Sequence, residues 1–272
     1  MVFIVPGKGF RRSIHSLENA YFRSKFEDEL GDFSGNSGMG IISDTDPQPI
    51  LFNSHLGRFA IVTVSRVLNL EELEDRFLHK RNHFTENFEG NINPTEVVAS
   101  LIDMEDSFEA GIRRALAEVE GSCSLLLLTR DGIFAARDRL GRTPVIIGQK
   151  SGSMAVTFET CAFPNLDYQP VSTLGPGEIA FITADGWESR KAPEERLQVC
   201  SFLWVYYGYP ASSYEGINVE AVRNRCGAAL ARRFPAAVDF VAGIPDSGIG
   251  HGLGYATEDG LPFKRPFVKY SP

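Results

Sequence analysis

Residues 121–148, GSCSLLLLTRDGIFAARDRLGRTPVIIG, constrain the fold more tightly than any other stretch of this chain. Two apolar runs, 124–128 and 133–136, flank Thr129-Arg130-Asp131-Gly132, and Asp-Gly between β-rich segments is a strong hairpin signal. A third run, 145–147, follows the loop Arg137-Asp138-x-x-Gly141-Arg142-x-Pro144, where glycine and proline set the backbone turns. Antiparallel strands ending in a charged loop are therefore expected, and the other elements must pack on them.

Around this hairpin both periodicities appear. Leu17, Tyr21, Phe22, Phe26 and Leu30 recur at mostly three- or four-residue steps, predicting a helix over 16–30 capped by Ser16. Strands are expected over 39–43, 49–53 and 58–64, the last rich in β-branched and aromatic residues. Short helices are expected over 70–77 and 94–102, the second capped by Asn93 with Pro94 at its first position, and an amphipathic helix over 108–119. Strands follow at 145–148, 155–158 and 178–183. Helices beside repeated antiparallel strands imply an α+β layered domain. The polar stretch 187–196, WESRKAPEER, reads as a linker. Beyond it, a helix (219–233), an apolar strand (238–244), the turn Pro245-Asp246-Ser247-Gly248, a helix (249–258) and a strand (263–268) open a parallel α/β unit. So few strands cannot cover both faces of a sheet, and the second domain is expected to be incomplete.

A formal net charge of −8 speaks against nucleic-acid or anionic-membrane partners, which need clustered lysine and arginine. No apolar run approaches the roughly 20 residues of a membrane helix, and the start MVFIVPGKGF does not read as a signal peptide. Cys123, Cys161, Cys200 and Cys226 lie far apart with no histidine at zinc spacing, so no metal site is expected. A cytoplasmic setting follows.

Several marks occur in a fixed order: Arg137-Asp138-x-x-Gly141-Arg142-x-Pro144 with Gly148; Glu159 before Cys161-Ala162; Pro176-Gly177-Glu178 with Asp185-Gly186; Cys200-Ser201-Phe202 leading to Val205-Tyr206-Tyr207 and Pro210; and Gly243-Ile244-Pro245-Asp246-Ser247. From about Gly35 to Tyr270 the chain resembles the amidophosphoribosyltransferase family. That resemblance implies an N-terminal-nucleophile-hydrolase-like four-layer αββα sandwich over 1–190, a class II glutamine amidotransferase-like domain that is N-terminally incomplete. The beginning of a truncated phosphoribosyltransferase-like domain over 197–272 is implied to follow. It further implies phosphoribosyl pyrophosphate as substrate of a full-length form and a homo-oligomer. No cofactor is expected in this chain, and magnesium only with a full phosphoribosyltransferase domain.

The resemblance also marks where the site departs. The family's nucleophile is a cysteine at the mature N-terminus; this chain reads Met1-Val2-Phe3, and its first cysteine is Cys123. The family's arginine for the glutamine carboxylate falls within Ser43-Asp44-Thr45-Asp46, exchanging a cation for a hydroxyl beside carboxylates. Its oxyanion segment falls on Thr63-Val64-Ser65-Arg66, without the asparagine donor, and removing one such donor costs about 2.7–4 kcal/mol. Its acidic residue for the glutamine ammonium falls on Pro94, with only the neighbouring Glu96 keeping its type. The expected pocket positions Ser43, Asp46, Thr63, Val64, Ser65, Arg66, Pro94 and Glu96 are therefore degenerate, and no catalytic residue is assigned. No Asp-Asp dipeptide of a phosphoribosyl-pyrophosphate loop occurs, so the chain is expected to stop before that loop.

Other residues carry paired readings. Asp246 and Ser247 are candidates for a nucleotide or phosphate contact at a helix N-terminus, or for a helix cap. Arg137-Asp138 is expected to form an internal ion pair rather than a ligand site, and Asp44 with Asp46 to shape a turn rather than hold a metal. Two functions compete: a purine-biosynthetic transferase of amino groups onto phosphoribosyl pyrophosphate, with a dead glutaminase site, or a non-catalytic scaffold on the same fold.

Overall fold

The computed structural model describes residues 1–16, 22–44, 46–79, 83–88 and 90–269. It groups into two compact units: Met1–Val145, Ser151–Met154 and Leu174–Gln198 in the first, and Ile146–Lys150, Ala155–Thr173 and Val199–Pro272 in the second.

The first unit opens with β1 (Val2–Val5) and β2 (Gly9–Arg12), followed by α1 (Phe22–Phe26), a 3-10 turn over Glu27–Asp32, and β3 (Ser37–Met39). β1 pairs antiparallel with both β2 and β3, making a small sheet of the apolar start. Of the helix expected over 16–30, residues 17–21 lie outside the described ones, 22–26 are α-helical as α1, and the chain from Glu27 tightens into 3-10 turns, with Glu29 bonded to Ser13 and His15.

β4 (Ile50–Ser54), β5 (Gly57–Val67), α2 (Leu70–His79), the short pair β6 (Asn87–Phe88) and β7 (Asn91–Ile92), α3 (Pro94–Ile102), α4 (Phe108–Glu118), β8 (Gly121–Leu128) and β9 (Ile133–Ala136) follow. The caps are those read from the sequence for α3: the Asn93 side chain accepts from the Thr95 N–H, with Pro94 in the first helical turn. Ser107 caps α4 in the same way. Gly121 starts β8 with φ +116°, and a Cβ there would lie 2.0 Å from the Arg66 carbonyl oxygen, so only glycine lets β8 close on β5 at this point.

Next in the chain come β10 (Ile146–Lys150), β11 (Ser153–Thr157), β12 (Gln169–Thr173), β13 (Ile179–Thr183) and β14 (Gly186–Lys191). The main sheet has six strands ordered β14-β13-β9-β8-β5-β4. The Asp-Gly hairpin forms with Leu128 opposite Ile133. Residues 187–191 of the expected linker are instead the edge strand β14, paired to β13. An edge strand with exposed polar side chains carries no apolar alternation, which is why it reads as a linker. The core packs Ile61, Leu125 and Leu127 of the sheet against Val97, Leu101 and Ile102 of α3 and Ile112 of α4. Each such fully buried side chain is worth about 1.5–3 kcal/mol.

In the second unit, β10 and β12 pair antiparallel in a three-stranded sheet ordered β11-β10-β12. A π-helical turn over Leu203–Tyr207 and the pair β15 (Ser213–Tyr214) and β16 (Ile217–Asn218) lead into α5 (Val219–Arg233), then β17 (Val241–Ala242), α6 (Gly248–Asp259) and β18 (Phe263–Lys264). β17 and β18 pair parallel, as the helix–strand–helix–strand order requires. The buried Arg223 of α5 donates to the carbonyls of Trp204, Tyr206 and Gly208, satisfying the end of the π turn. α5 and α6 meet closely at Gly227, where a Cβ would lie 1.9 Å from the His251 carbonyl oxygen.

Candidate functional site

Four of the sequence-marked positions converge on one buried hydrogen-bonded chain at the β4–β5 end of the main sheet. Asp46, Gln48, Thr63 and Thr95 are all at least nine-tenths buried. Gln48 clasps the Thr63 backbone, its Oε1 accepting the Thr63 N–H at 2.7 Å and its Nε2 donating to the Thr63 carbonyl at 3.2 Å. The same Nε2 donates to Asp46 Oδ1 at 2.9 Å. Thr95 Oγ1 donates to Asp46 Oδ2 at 2.8 Å. A hydroxyl has one proton, so at the 2.7 Å Thr63–Thr95 contact Thr63 donates, and at the 3.1 Å Thr63–Ser65 contact Ser65 donates. The protons of Ser65, Thr63 and Thr95 all point along the chain towards the Asp46 carboxylate, and such aligned bonds reinforce one another. Ser43 completes the turn, accepting from the Asp46 N–H at 3.2 Å and donating to Oδ1 at 3.3 Å.

Strand geometry explains which positions join. Thr63 and Ser65 lie two apart and share a face of β5, while Val64 and Arg66 take the other, opposite Ser124 and Ser122 of β8. Arg66 is exposed. The Thr63 N–H is held by Gln48 and is not turned to a ligand. Pro94 serves as the start of α3. Glu96 is buried and faces away, accepting from the backbone N–H groups of Thr85 and Glu86 and from the Thr85 hydroxyl. Gln48 and Thr95, which complete the chain, carry no sequence signal beyond their polarity.

Beside this chain lies a cavity of about 450 Å³, bordered by Ser43, Asp44, Asp46 and Gln48, by Ser13 and His15, and by apolar side chains from α1 and residues 41–42. Ser13, His15 and Glu29 form a cluster at its rim. His15 Nε2 lies 3.1 Å from Ser13 Oγ and 2.9 Å from Glu29 Oε1, and Ser13 donates to Glu29 Oε2 at 2.5 Å. The Ser13 hydrogen bond holds the half-buried Glu29 carboxyl below its ordinary range. A nucleophile–base–acid relay uses both ring nitrogens in series. Here one nitrogen meets serine and acid together, and the cluster works as a clamp.

The remaining sequence candidates lie elsewhere. Arg137 is buried and donates to the carbonyls of Leu174 and Gly141, each at 2.6 Å. Asp138 accepts from the N–H groups of Leu140 and Thr143, each at 3.1 Å. This loop is held through its backbone groups. Cys123 beneath it is buried, and desolvation, with a contribution from Asp138, pushes its thiol up to about 12. Ser247 already has helical φ/ψ of −62°/−31° and makes no side-chain cap bond to α6, so the expected cap is not formed. Asp246 instead pairs with Lys269 at 3.6 Å. Among the described residues no group of three or more His, Cys, Asp or Glu is placed to hold a metal ion, and no helix is long and apolar enough to cross a membrane.

A family model for a glutamine amidotransferase domain matches residues 38–164, which hold the Asp46 chain, the hairpin and the Arg137–Asp138 loop. The amidophosphoribosyltransferase of Methanocaldococcus jannaschii is 31% identical over 238 residues, covering 82% of this chain and 50% of that protein. That of Bacillus subtilis is 29% identical over 226 residues, covering 82% and 46%. The solved glutamine phosphoribosylpyrophosphate amidotransferase from B. subtilis, complexed with ADP and GMP, aligns with a TM-score of 0.76 at 26% identity, over 89% of this chain and 56% of that one. The chain spans about half the length of the curated relatives it matches. Fold and site define a glutamine amidotransferase-type α+β protein with the N-terminal-nucleophile hydrolase architecture. The chain belongs to the amidophosphoribosyltransferase family.

Proposed function

We propose that the chain is part of an amidophosphoribosyltransferase-like protein of purine biosynthesis, one that transfers an amino group to phosphoribosyl pyrophosphate in a full-length form without hydrolysing glutamine. The amidotransferase-type unit is then a retained shell around a degenerate pocket. One observation carries this reading: at the positions where the family resemblance places grips for glutamine, the side chains are bonded to one another. Ser43, Gln48 and Thr95 converge on Asp46, and Thr63 is bound to Gln48 and Thr95. No lysine or arginine side chain borders the adjoining cavity among the described residues, so a substrate carboxylate would meet carboxylates there. Neither Ser65 nor Thr63 has a base beside it, since each hydroxyl proton is directed along the chain.

The proposed setting is cytoplasmic and the assembly a homo-oligomer, with magnesium only in a form that carries a full phosphoribosyltransferase domain. The purified chain with L-glutamine should release no ammonia above the blank. Turnover at ordinary enzymatic rates, of the order of 1 s⁻¹ or more, would refute the reading.

A further inference from the structure

We infer that the cavity beside Asp46 is a binding site for an organic ammonium compound with a flat apolar body and no carboxylate. This rests in part on the reading that the pocket no longer grips glutamine, and adds to it the class of ligand the pocket now suits. At about 450 Å³ the cavity has the size of a small-molecule site. One wall is apolar: Phe22 and Phe26, whose ring centroids lie 4.7 Å apart, with Ile41 and Ile42 nearby. Ring faces of this kind attract a cation as well as apolar surface. The same cavity is bordered by Asp44 and Asp46. Asp44 is exposed at the border of the cavity, so its carboxylate is open to solvent.

The imidazole of His15 is engaged by Ser13 and Glu29. The α-amino group of Met1 also borders the space, but it is turned onto the Ser13 carbonyl at 2.6 Å. Burial, then the charge of Arg12, lowers its pKa below the ordinary value, which weakens it as a competing cation. Arg12 itself is paired with Glu86. Size, ring faces and sign of charge therefore agree on one ligand class and disfavour its charge-reversed counterpart.

The test uses the 272-residue chain and two probes of similar shape and opposite charge, phenethylamine and hydrocinnamate, titrated while amide resonances are followed by NMR. Phenethylamine should shift Phe26, Ile41, Ile42 and Asp44 saturably, with hydrocinnamate at least about tenfold weaker. Asp44→Asn, a change at an exposed side chain, should weaken phenethylamine by about three- to tenfold without altering the unfolding midpoint. No saturable shift with phenethylamine, equal or tighter binding of hydrocinnamate, or unchanged affinity in Asp44→Asn would each overturn the inference. Ammonia release from glutamine would refute the functional reading by a separate measurement, so the two failures are distinguishable.

Discussion

Two buried aspartates in the same unit meet their hydrogen-bond needs in different ways. Asp138 takes its shorter bonds from backbone N–H groups of its own loop, at Leu140 and Thr143, with the Ser124 hydroxyl of β8 farther off at 3.5 Å. Asp46 takes them from the side chains of Ser43, Gln48 and Thr95, contributed by segments up to 49 residues away. Backbone donors exist whatever the side chains are, so the Asp138 loop depends on few side chains beyond its aspartate, Arg137 and Ser124, whose hydroxyl accepts the Asp138 N–H at 3.1 Å. Donors from side chains exist only in this particular sequence. The first arrangement depends mainly on the backbone of its loop; the second depends on particular side chains brought from distant segments.

The contrast can be broken most sharply at Arg137. Arg137→Met should lower unfolding stability by about 3–5 kcal/mol, since it strands buried carbonyls that the guanidinium now satisfies. A urea titration that shows a loss below about 1 kcal/mol would remove the loop from the shell. Asp46→Asn keeps the shape but loses a charge-assisted acceptor, and a smaller loss of about 1–3 kcal/mol is expected, with the far-UV circular dichroism unchanged. Should Asp46→Asn instead prevent folding, the pocket chain would be structural in the same sense as the loop.

Within the chain, position sets the size. Thr95→Val interrupts it beside the carboxylate and is expected to cost about 0.5–1.5 kcal/mol, whereas Ser65→Ala removes only the outermost donor and should cost less. A larger loss at Ser65 would contradict the proton direction assigned here. The smallest effect at neutral pH concerns Cys123. Its thiol is protonated in the folded state up to about 12, while the unfolded thiol ionises near its ordinary value of about 8.5. The folded form therefore binds the extra proton between these values, and stability should fall as pH rises through that window, by at most about 1.4 kcal/mol per pH unit from this group. At pH 8 a thiol reagent should label the exposed Cys200 and leave Cys123 until the chain unfolds.

The hairpin β8–β9, the Asn93-capped helix α3 and the amphipathic α4 were legible from a few neighbouring residues, because turn chemistry, caps and helical periodicity are local. The resemblance to amidophosphoribosyltransferases was legible for a related reason: loop motifs such as the one around Arg137 are short and keep their order. β1 and β14 were not legible. β1 is a four-residue run whose partners β2 and β3 must be found in space, and β14 is polar because it lies at an edge.

At the candidate site, Ser43, Asp46, Thr63 and Ser65 could be marked in advance, but not that they would bond to one another. Gln48 and Thr95 stand 15 and 32 residues from Thr63, and no spacing rule links them. Local order along the chain was thus set by the residues themselves, through dihedral preferences and neighbouring hydrogen bonds. The direction of the proton chain and the charge of the cavity arose only when distant segments were buried together. Once water is excluded, each polar group must find its partner among whatever side chains packing has brought within reach.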